Sequence, residues 1–188
     1  MLFEAGKYYH VFNRSNNGEV VFPSPQNYAY FLACAGKILA PAFSLYAYCL
    51  MPTHFRFLLL AKKEEKECSN AVGRLLRIYS NSVNKRRERK GSLFQPETVV
   101  KHIDDERFLL RFIPYIHQEP VRAGLAPSCD HWEHSSHIDY TGRRCSPIVD
   151  LSLMRHHFKT AEAYEQYAST MIPSVKSKYW IENGVGHL

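Results

Sequence analysis

The chain has 188 residues, 45% hydrophobic and 22% charged, which predicts one globular domain with room for a small appendage. No apolar run approaches the roughly 18 residues that a membrane span needs, so no membrane partner is expected. The 24 Lys and Arg residues outnumber the 18 Asp and Glu residues, and the net charge of +6 favours a polyanionic partner.

The first half of the chain predicts three strands and two helices. Residues 7–14 alternate and are rich in aromatic side chains, which indicates a strand. Ser24 and Pro25 are typical of a helix start, and Pro41 ends that helix. The predicted elements are strands at 43–50 and from His54, and helices at about 24–39 and 64–87.

The second half predicts a short strand at 98–103 and a helix that begins at Asp104 or Asp105 and reaches about Gln118. This order of elements predicts an α+β fold, a ferredoxin-like or RRM-like antiparallel sheet backed by helices. We expect one domain over residues 1–142. Residues 143–188 are predicted to form an appendage, with short helices near 150–158 and 161–169 and then a polar tail.

Five cysteines, an odd number, occur without a CxxC pair and without a secretory leader. This pattern predicts a reduced protein of the cytoplasm. Cys129 is followed by three histidines, but their spacing matches no standard zinc site, so we do not expect zinc there. These histidines are His131, His134 and His137.

Two polar residues stand out on the strand that opens with His54. Alternate residues of a strand share a face, so His54 and Arg56 point the same way along a mostly apolar segment. Burying this pair is costly unless a ligand uses it. The pair therefore predicts a phosphate site or a metal-phosphate site.

A second polar cluster lies on the helix after Asp105. Tyr115 and Glu119 are four residues apart, so they share a helix face. A tyrosine is a known covalent nucleophile, but its phenol needs activation at neutral pH. A divalent ion beside the phosphate supplies such help, and imidazole and carboxylate ligands suit Mg²⁺ or Mn²⁺.

Four separated motifs resemble those of the REP-associated tyrosine transposases, which are single-tyrosine HUH nucleases. They are YHVFNR, MPTHFRFLLL, GSLFQ and YIHQEPVRAGL, and HWEHSSHIDY is similar to a further segment of that family. The order and the spacing agree over roughly residues 5–142. The resemblance implies the HUH nuclease fold and binding of single-stranded or hairpin DNA, by a monomer or a homodimer.

The resemblance also implies a chemistry. Tyr115 takes the place of the nucleophile that attacks a phosphodiester and leaves a 5′-phosphotyrosine with a free 3′-hydroxyl. His54 takes the place of the first metal ligand, and Glu119 that of the third, with Mg²⁺ or Mn²⁺ as the expected cofactor. Phosphate contacts are expected from the basic residues of the chain: Arg14, Arg74, Arg77, Lys85, Arg86, Arg87, Arg89, Lys90 and Arg122.

Arg56 departs from the motif, because the family has a second metal-binding histidine at this place. An arginine stays protonated and has no lone pair for a metal. Three alternatives are open: Arg56 contacts the scissile phosphate, or His10 or His117 completes the metal site, or cleavage is impaired. The chain is therefore expected to be a metal-dependent DNA strand-transferase or a relative that binds DNA or RNA hairpins without cutting them.

Overall fold

Four strands form one antiparallel sheet in the computed structural model, which describes residues 3–170. They are β1 (Tyr8–Arg14), β2 (Phe43–Met51), β3 (His54–Ala61) and β4 (Val99–Ile103). The order across the sheet is β2-β3-β1-β4, the arrangement of ferredoxin-like folds. This confirms the predicted fold class, and each strand starts within one residue of the predicted position.

The described residues also form seven α-helices. They are α1 (Pro25–Leu39), α2 (Glu65–Arg86), α3 (Glu106–His117), α4 (Glu119–Arg122), α5 (His137–Tyr140), α6 (Ser152–His157) and α7 (Ala161–Ala168). None of the helices among these residues is long and apolar enough to cross a membrane.

The helix predicted to reach Gln118 ends one residue earlier, and Glu119 opens the next helix instead. Asp105 caps the start of α3, since its carboxylate accepts hydrogen bonds from the backbone N–H groups of Arg107 and Phe108. At the other end, Pro120 has no N–H to donate to the carbonyl four residues before it, which breaks the helical ladder. The helical ladder is therefore interrupted beside Glu119, which begins α4.

The two faces of the sheet carry different side chains. Phe55 and Phe57 of β3 meet Phe31 of α1, with ring centroids 5.2 and 6.0 Å apart, so α1 and α2 cover an aromatic face. The alternate residue Arg56 and its neighbour His10 lie on the opposite face. Helix α3 packs there through Phe112, whose ring centroid is 4.8 Å from that of His10.

The polar face ends where β1 finishes and β3 begins, and we call this end of the molecule the site end. Helix α2 follows β3 and runs back toward it, so the basic end of α2 returns to the site end. The loop after α2 is fixed there, because Asn16 N donates to Leu93 O at 3.0 Å and Gln95 N donates to Arg14 O at 2.9 Å.

Residues after Gly142 pack on the sheet and on α3. Asp150 N donates to Leu45 O at 2.8 Å, which attaches this segment to β2. Tyr164 of α7 is fully buried, and its hydroxyl lies 2.6 Å from His117 Nδ1. The boundary at residue 142 stays a prediction, and the predicted polar tail lies outside the described residues.

Candidate nucleic-acid site

A cavity of about 620 Å³ opens at the site end, and we call it the site cavity. It lies between the end of β1, the start of β3 and the α3-α4 junction. Six residues singled out from the sequence line it together, although they come from distant parts of the chain: Arg14, His54, Arg56, Tyr115, Glu119 and Arg122.

Glu119 lies at the centre of the charges in the cavity. Its Oε1 accepts a hydrogen bond from Arg56 Nε at 2.7 Å and lies 3.0 Å from His54 Nε2. Burial raises the pKa of Glu119, but the charge of Arg56 and the hydrogen bond from His54 outweigh it and bring the pKa to about 2. Because an ionised carboxylate only accepts, His54 Nε2 carries the hydrogen.

Arg56 is held on three sides and is only 3% exposed. Besides its bond to Glu119, its Nη1 lies 3.3 Å from His10 Nε2, and its guanidinium carbon lies 4.6 Å from the centre of the Phe12 ring. Burial and the charge of Arg56 lower the pKa of His10 well below its usual value, so this imidazole is neutral and accepts from Arg56. Arg56 is thus a fixed cation in the wall of the cavity.

Arg122 covers Tyr115. The guanidinium carbon of Arg122 lies 4.0 Å from the centre of the Tyr115 ring, and its Nη2 donates to the Tyr115 carbonyl at 2.6 Å. Burial lowers the pKa of Arg122, but a guanidinium stays protonated at neutral pH. Tyr115 is 3% exposed, so access to this proposed nucleophile is restricted.

Two buried polar atoms of the cavity have no hydrogen-bond partner among the described residues. They are the donor Arg122 Nη1 and the acceptor Glu119 Oε2. A buried donor without a partner is costly, and a bound anion removes that cost. An oxygen of a phosphate is a suitable partner for the guanidinium.

The sequence did not identify several residues of the cavity wall. Asn17 and Gly18 follow β1 in a turn at φ values of 56° and 68°. Asn and Gly are typical turn residues, but the position of this turn beside His54 follows only from the pairing of β1 with β3. The remaining wall residues that were missed are Ser15, Thr53, Gln95 and Ala123.

Most of the predicted basic contacts do not line the site cavity. Arg77 lines a separate cavity of about 760 Å³ between α2 and β4, and Arg74 is exposed on the same helix. Arg89 forms an ion pair with Glu19 at 2.6 Å, which places the basic run after α2 near the site end. DNA contacts stay predictions for these residues and for the exposed Lys85, Arg86, Arg87 and Lys90.

Neither proposed replacement histidine is available as a metal ligand. His117 is fully buried, and its two ring nitrogens each lie 2.6 Å from a hydroxyl, of Tyr164 and of Ser136. It therefore belongs to the packing between α3 and the later segment. His10 Nε2 is already occupied by Arg56.

The residues of the cavity do not supply the three protein ligands that the family resemblance implies for Mg²⁺ or Mn²⁺. His54 presents a hydrogen to Glu119 rather than a lone pair, and Arg56 has no lone pair to give. Within residues 3–170, no group of three or more His, Cys, Asp and Glu side chains could hold a metal ion.

The described fold is similar to a solved structure, that of the REP-associated tyrosine transposase bound to a REP hairpin. The TM-score is 0.62 with 15% identity, over 81% of this chain and 93% of the other. No protein-family model and no curated protein matches the chain. The structural likeness confirms that the resemblance in the motifs extends to the fold, while the roles of single residues stay predictions.

Proposed function

We propose that this chain is a transposase-like protein that binds hairpin or single-stranded DNA and holds one phosphate of the strand in the site cavity. The observation that carries the proposal is the unpartnered guanidinium donor of Arg122, buried in a wall that also contains Arg14 and Arg56. Arginine forks match phosphate oxygens in shape and charge. The solved transposase of the same fold is bound to a hairpin, which supports DNA as the polyanion.

Binding is tested with a fluorescent DNA hairpin that carries a single-stranded extension, and with a blunt duplex of the same length. We expect the extended hairpin to bind more tightly at the same salt concentration. Equal binding of both would contradict a site for unpaired DNA, because backbone charge alone attracts either form.

Arg14→Gln tests whether the cavity itself is the contact, because Arg14 is exposed and lines its wall. We expect a loss of about 1 kcal/mol, roughly fivefold in affinity, as for one solvent-exposed ion contact. The matched control is Arg107→Gln, since Arg107 has a side chain that is 92% exposed and lies in the first turn of α3, at the opposite end of the sheet. An equal loss in both variants would place the DNA elsewhere.

Cleavage through Tyr115 is the second candidate function. Tyr115 lines the same cavity as His54 and Glu119, the juxtaposition that the nuclease requires. In this reaction the phenol loses its proton and its oxygen forms a bond to phosphorus as the bond to the 3′ oxygen breaks, and the leaving oxygen takes up a proton to become the free 3′-hydroxyl. Two cations, Arg56 and Arg122, are present in the wall to stabilise the charge on the phosphate.

A covalent adduct distinguishes the two candidate functions. Hairpin DNA labelled downstream of the cleavage site is incubated with the protein, and the mixture is run on a denaturing gel. Cleavage predicts a protein-DNA band that Tyr115→Phe abolishes while hairpin affinity is retained. The absence of a band over a range of hairpins that do bind leaves the binding function alone.

A further inference from the structure

We propose that the Arg56 guanidinium takes the place of a divalent cation in the site cavity, so that the site excludes Mg²⁺ and Mn²⁺ and carries its own positive charge. The part of this inference that concerns phosphate rests on the proposed function. The part that concerns metal exclusion rests on the geometry of Arg56, His54 and Glu119 alone.

The first reason is that the side chains at the expected metal-binding positions already form hydrogen bonds with each other. Glu119 Oε1 receives hydrogens from both Arg56 Nε and His54 Nε2, at 2.7 and 3.0 Å. A metal ion at this oxygen has to displace both hydrogens. It also has to turn the imidazole of His54, whose Nδ1 lies 3.2 Å from the hydroxyl of Thr53.

The second reason is charge. Arg56 balances the carboxylate of Glu119 within a buried pair, so the pair offers an incoming cation no net negative charge. The guanidinium also repels a divalent ion at close range, where water screens the repulsion weakly. The carboxylate oxygen that remains, Glu119 Oε2, is a single acceptor and is buried.

The third reason is that the contacts of the Arg56 side chain hold it in one position. Its Nη1 bonds to neutral His10, and Phe12 covers its guanidinium. Moving this side chain out of the site leaves a buried carboxylate unpaired, which is strongly unfavourable. The cation is therefore a permanent part of the cavity wall, unlike a metal ion that exchanges with solvent.

Metal binding is tested on the full chain without DNA, by electron paramagnetic resonance of Mn²⁺ during a titration. We expect wild-type protein to leave the spectrum of free Mn²⁺ unchanged at equimolar concentrations. Arg56→His removes the charge and supplies a lone pair, and we expect it to bind Mn²⁺ more tightly than wild type by roughly tenfold or more. Arg56→Lys keeps the charge without a lone pair and is expected to behave as wild type.

The wild-type titration decides the inference even if Arg56→His does not fold. Stoichiometric Mn²⁺ bound by wild-type protein and released by Glu119→Gln would overturn it. An Arg56→Lys variant that gains Mn²⁺ would also overturn it, because charge would then not be the cause of exclusion.

Hairpin binding in EDTA and in Mg²⁺ gives a second readout. We expect equal affinities in the two buffers after ionic strength is matched. A requirement for Mg²⁺ would overturn metal exclusion and leave the proposed DNA binding intact. If no hairpin binds in either buffer, the proposed function fails, whereas the Mn²⁺ titration still decides the role of Arg56.

Discussion

Glu119 shows how a single residue couples the stability of the molecule to its site. Its carboxylate is buried and holds both Arg56 and His54 in place. The ionised form is favoured in the folded protein, since its pKa falls from the ordinary 4.5 to about 2. Protonating this group therefore disfavours the fold, and the same step releases Arg56 from its partner.

The stability of the protein should depend on pH through Glu119. Because its folded pKa is depressed, its contribution is complete above pH 4.5 and is lost as the pH falls toward 2. The shift corresponds to on the order of 3 kcal/mol. We expect the unfolding free energy of wild type, measured in urea from pH 6 to pH 2.5, to fall by about that amount more than that of Glu119→Gln.

The matched control for this measurement is Glu106→Gln, whose carboxylate is 67% exposed. Its pH profile is expected to follow that of wild type. If the unfolding free energies of wild type and Glu119→Gln fell equally with pH, the ionised carboxylate of Glu119 would not contribute to stability. At pH 6 the Gln variant is expected to be less stable, because Arg56 then lacks its counterion.

The parts of the site that were predictable are those set by local spacing. The alternation of β3 placed His54 and Arg56 together. Tyr115 and Glu119 both line the site cavity, but they lie on successive helices and not on one face of a single helix as predicted. The contact of Arg56 with His10 was not predictable, because it depends on the register between β1 and β3. The sequence did not show which group hydrogen-bonds to the far end of the Arg56 side chain. The pairing of β1 with β3 places His10 there.

Among the elements, the loops after α4 are fixed by one side chain. Arg144 donates to both carboxylate oxygens of Asp139, to Ser135 O at 2.7 Å and to the Tyr48 hydroxyl at 2.6 Å. Asp139 is fully buried and also accepts from Ser146 N at 2.9 Å. This clamp fastens the segment around α5 to β2.

Arg144→Ala is expected to destabilise the protein by roughly 3 kcal/mol, because it leaves the buried Asp139 carboxylate without its cation. Urea unfolding at neutral pH measures the loss. The control is Arg143→Ala, since Arg143 is 48% exposed and its ion pairs with Glu165 and Asp130 are each worth about 1 kcal/mol or less. A similar small loss in both variants would contradict the clamp.

Helix α7 is joined to α3 by a buried polar contact that the sequence did not indicate. The Tyr164 hydroxyl and His117 Nδ1 lie 2.6 Å apart, and both residues are fully buried. Short periodic segments after Gly142 predicted helices, but periodicity alone does not say what a helix packs on. His117 lies two residues after Tyr115 and two before Glu119 along the chain, so this contact is close to the site cavity in sequence.

Tyr164→Phe tests this attachment. The change leaves His117 Nδ1 buried without its partner, and we expect a loss of about 1 to 3 kcal/mol in unfolding free energy. Tyr167→Phe serves as the control, since Tyr167 is 40% exposed on the same helix and is expected to change stability little. Equal effects of the two changes would show that the buried contact contributes nothing specific.

At the scale of the whole molecule, the basic run at the end of α2 lies beside the site cavity. Helix α2 runs antiparallel to β3, so its basic end and the site cavity lie at the same end of the sheet. The ion pair of Arg89 with Glu19, two residues from the cavity-lining Asn17, fixes this proximity. The basic run at residues 85–90 therefore favours a DNA strand extending from the cavity toward the end of α2.

The salt dependence of hairpin binding tests whether the basic residues at the end of α2 contact the DNA. Replacing Lys85, Arg86 and Arg87 by Gln is expected to reduce the slope of log affinity against log salt by about 2 to 3, since each lost phosphate contact lowers it by roughly 0.7 to 0.9. The matched triple variant replaces the exposed Lys7, Lys63 and Lys66 at the opposite end. It removes the same net charge, so an equal change of slope would mean that total charge, rather than its placement beside the cavity, attracts the DNA.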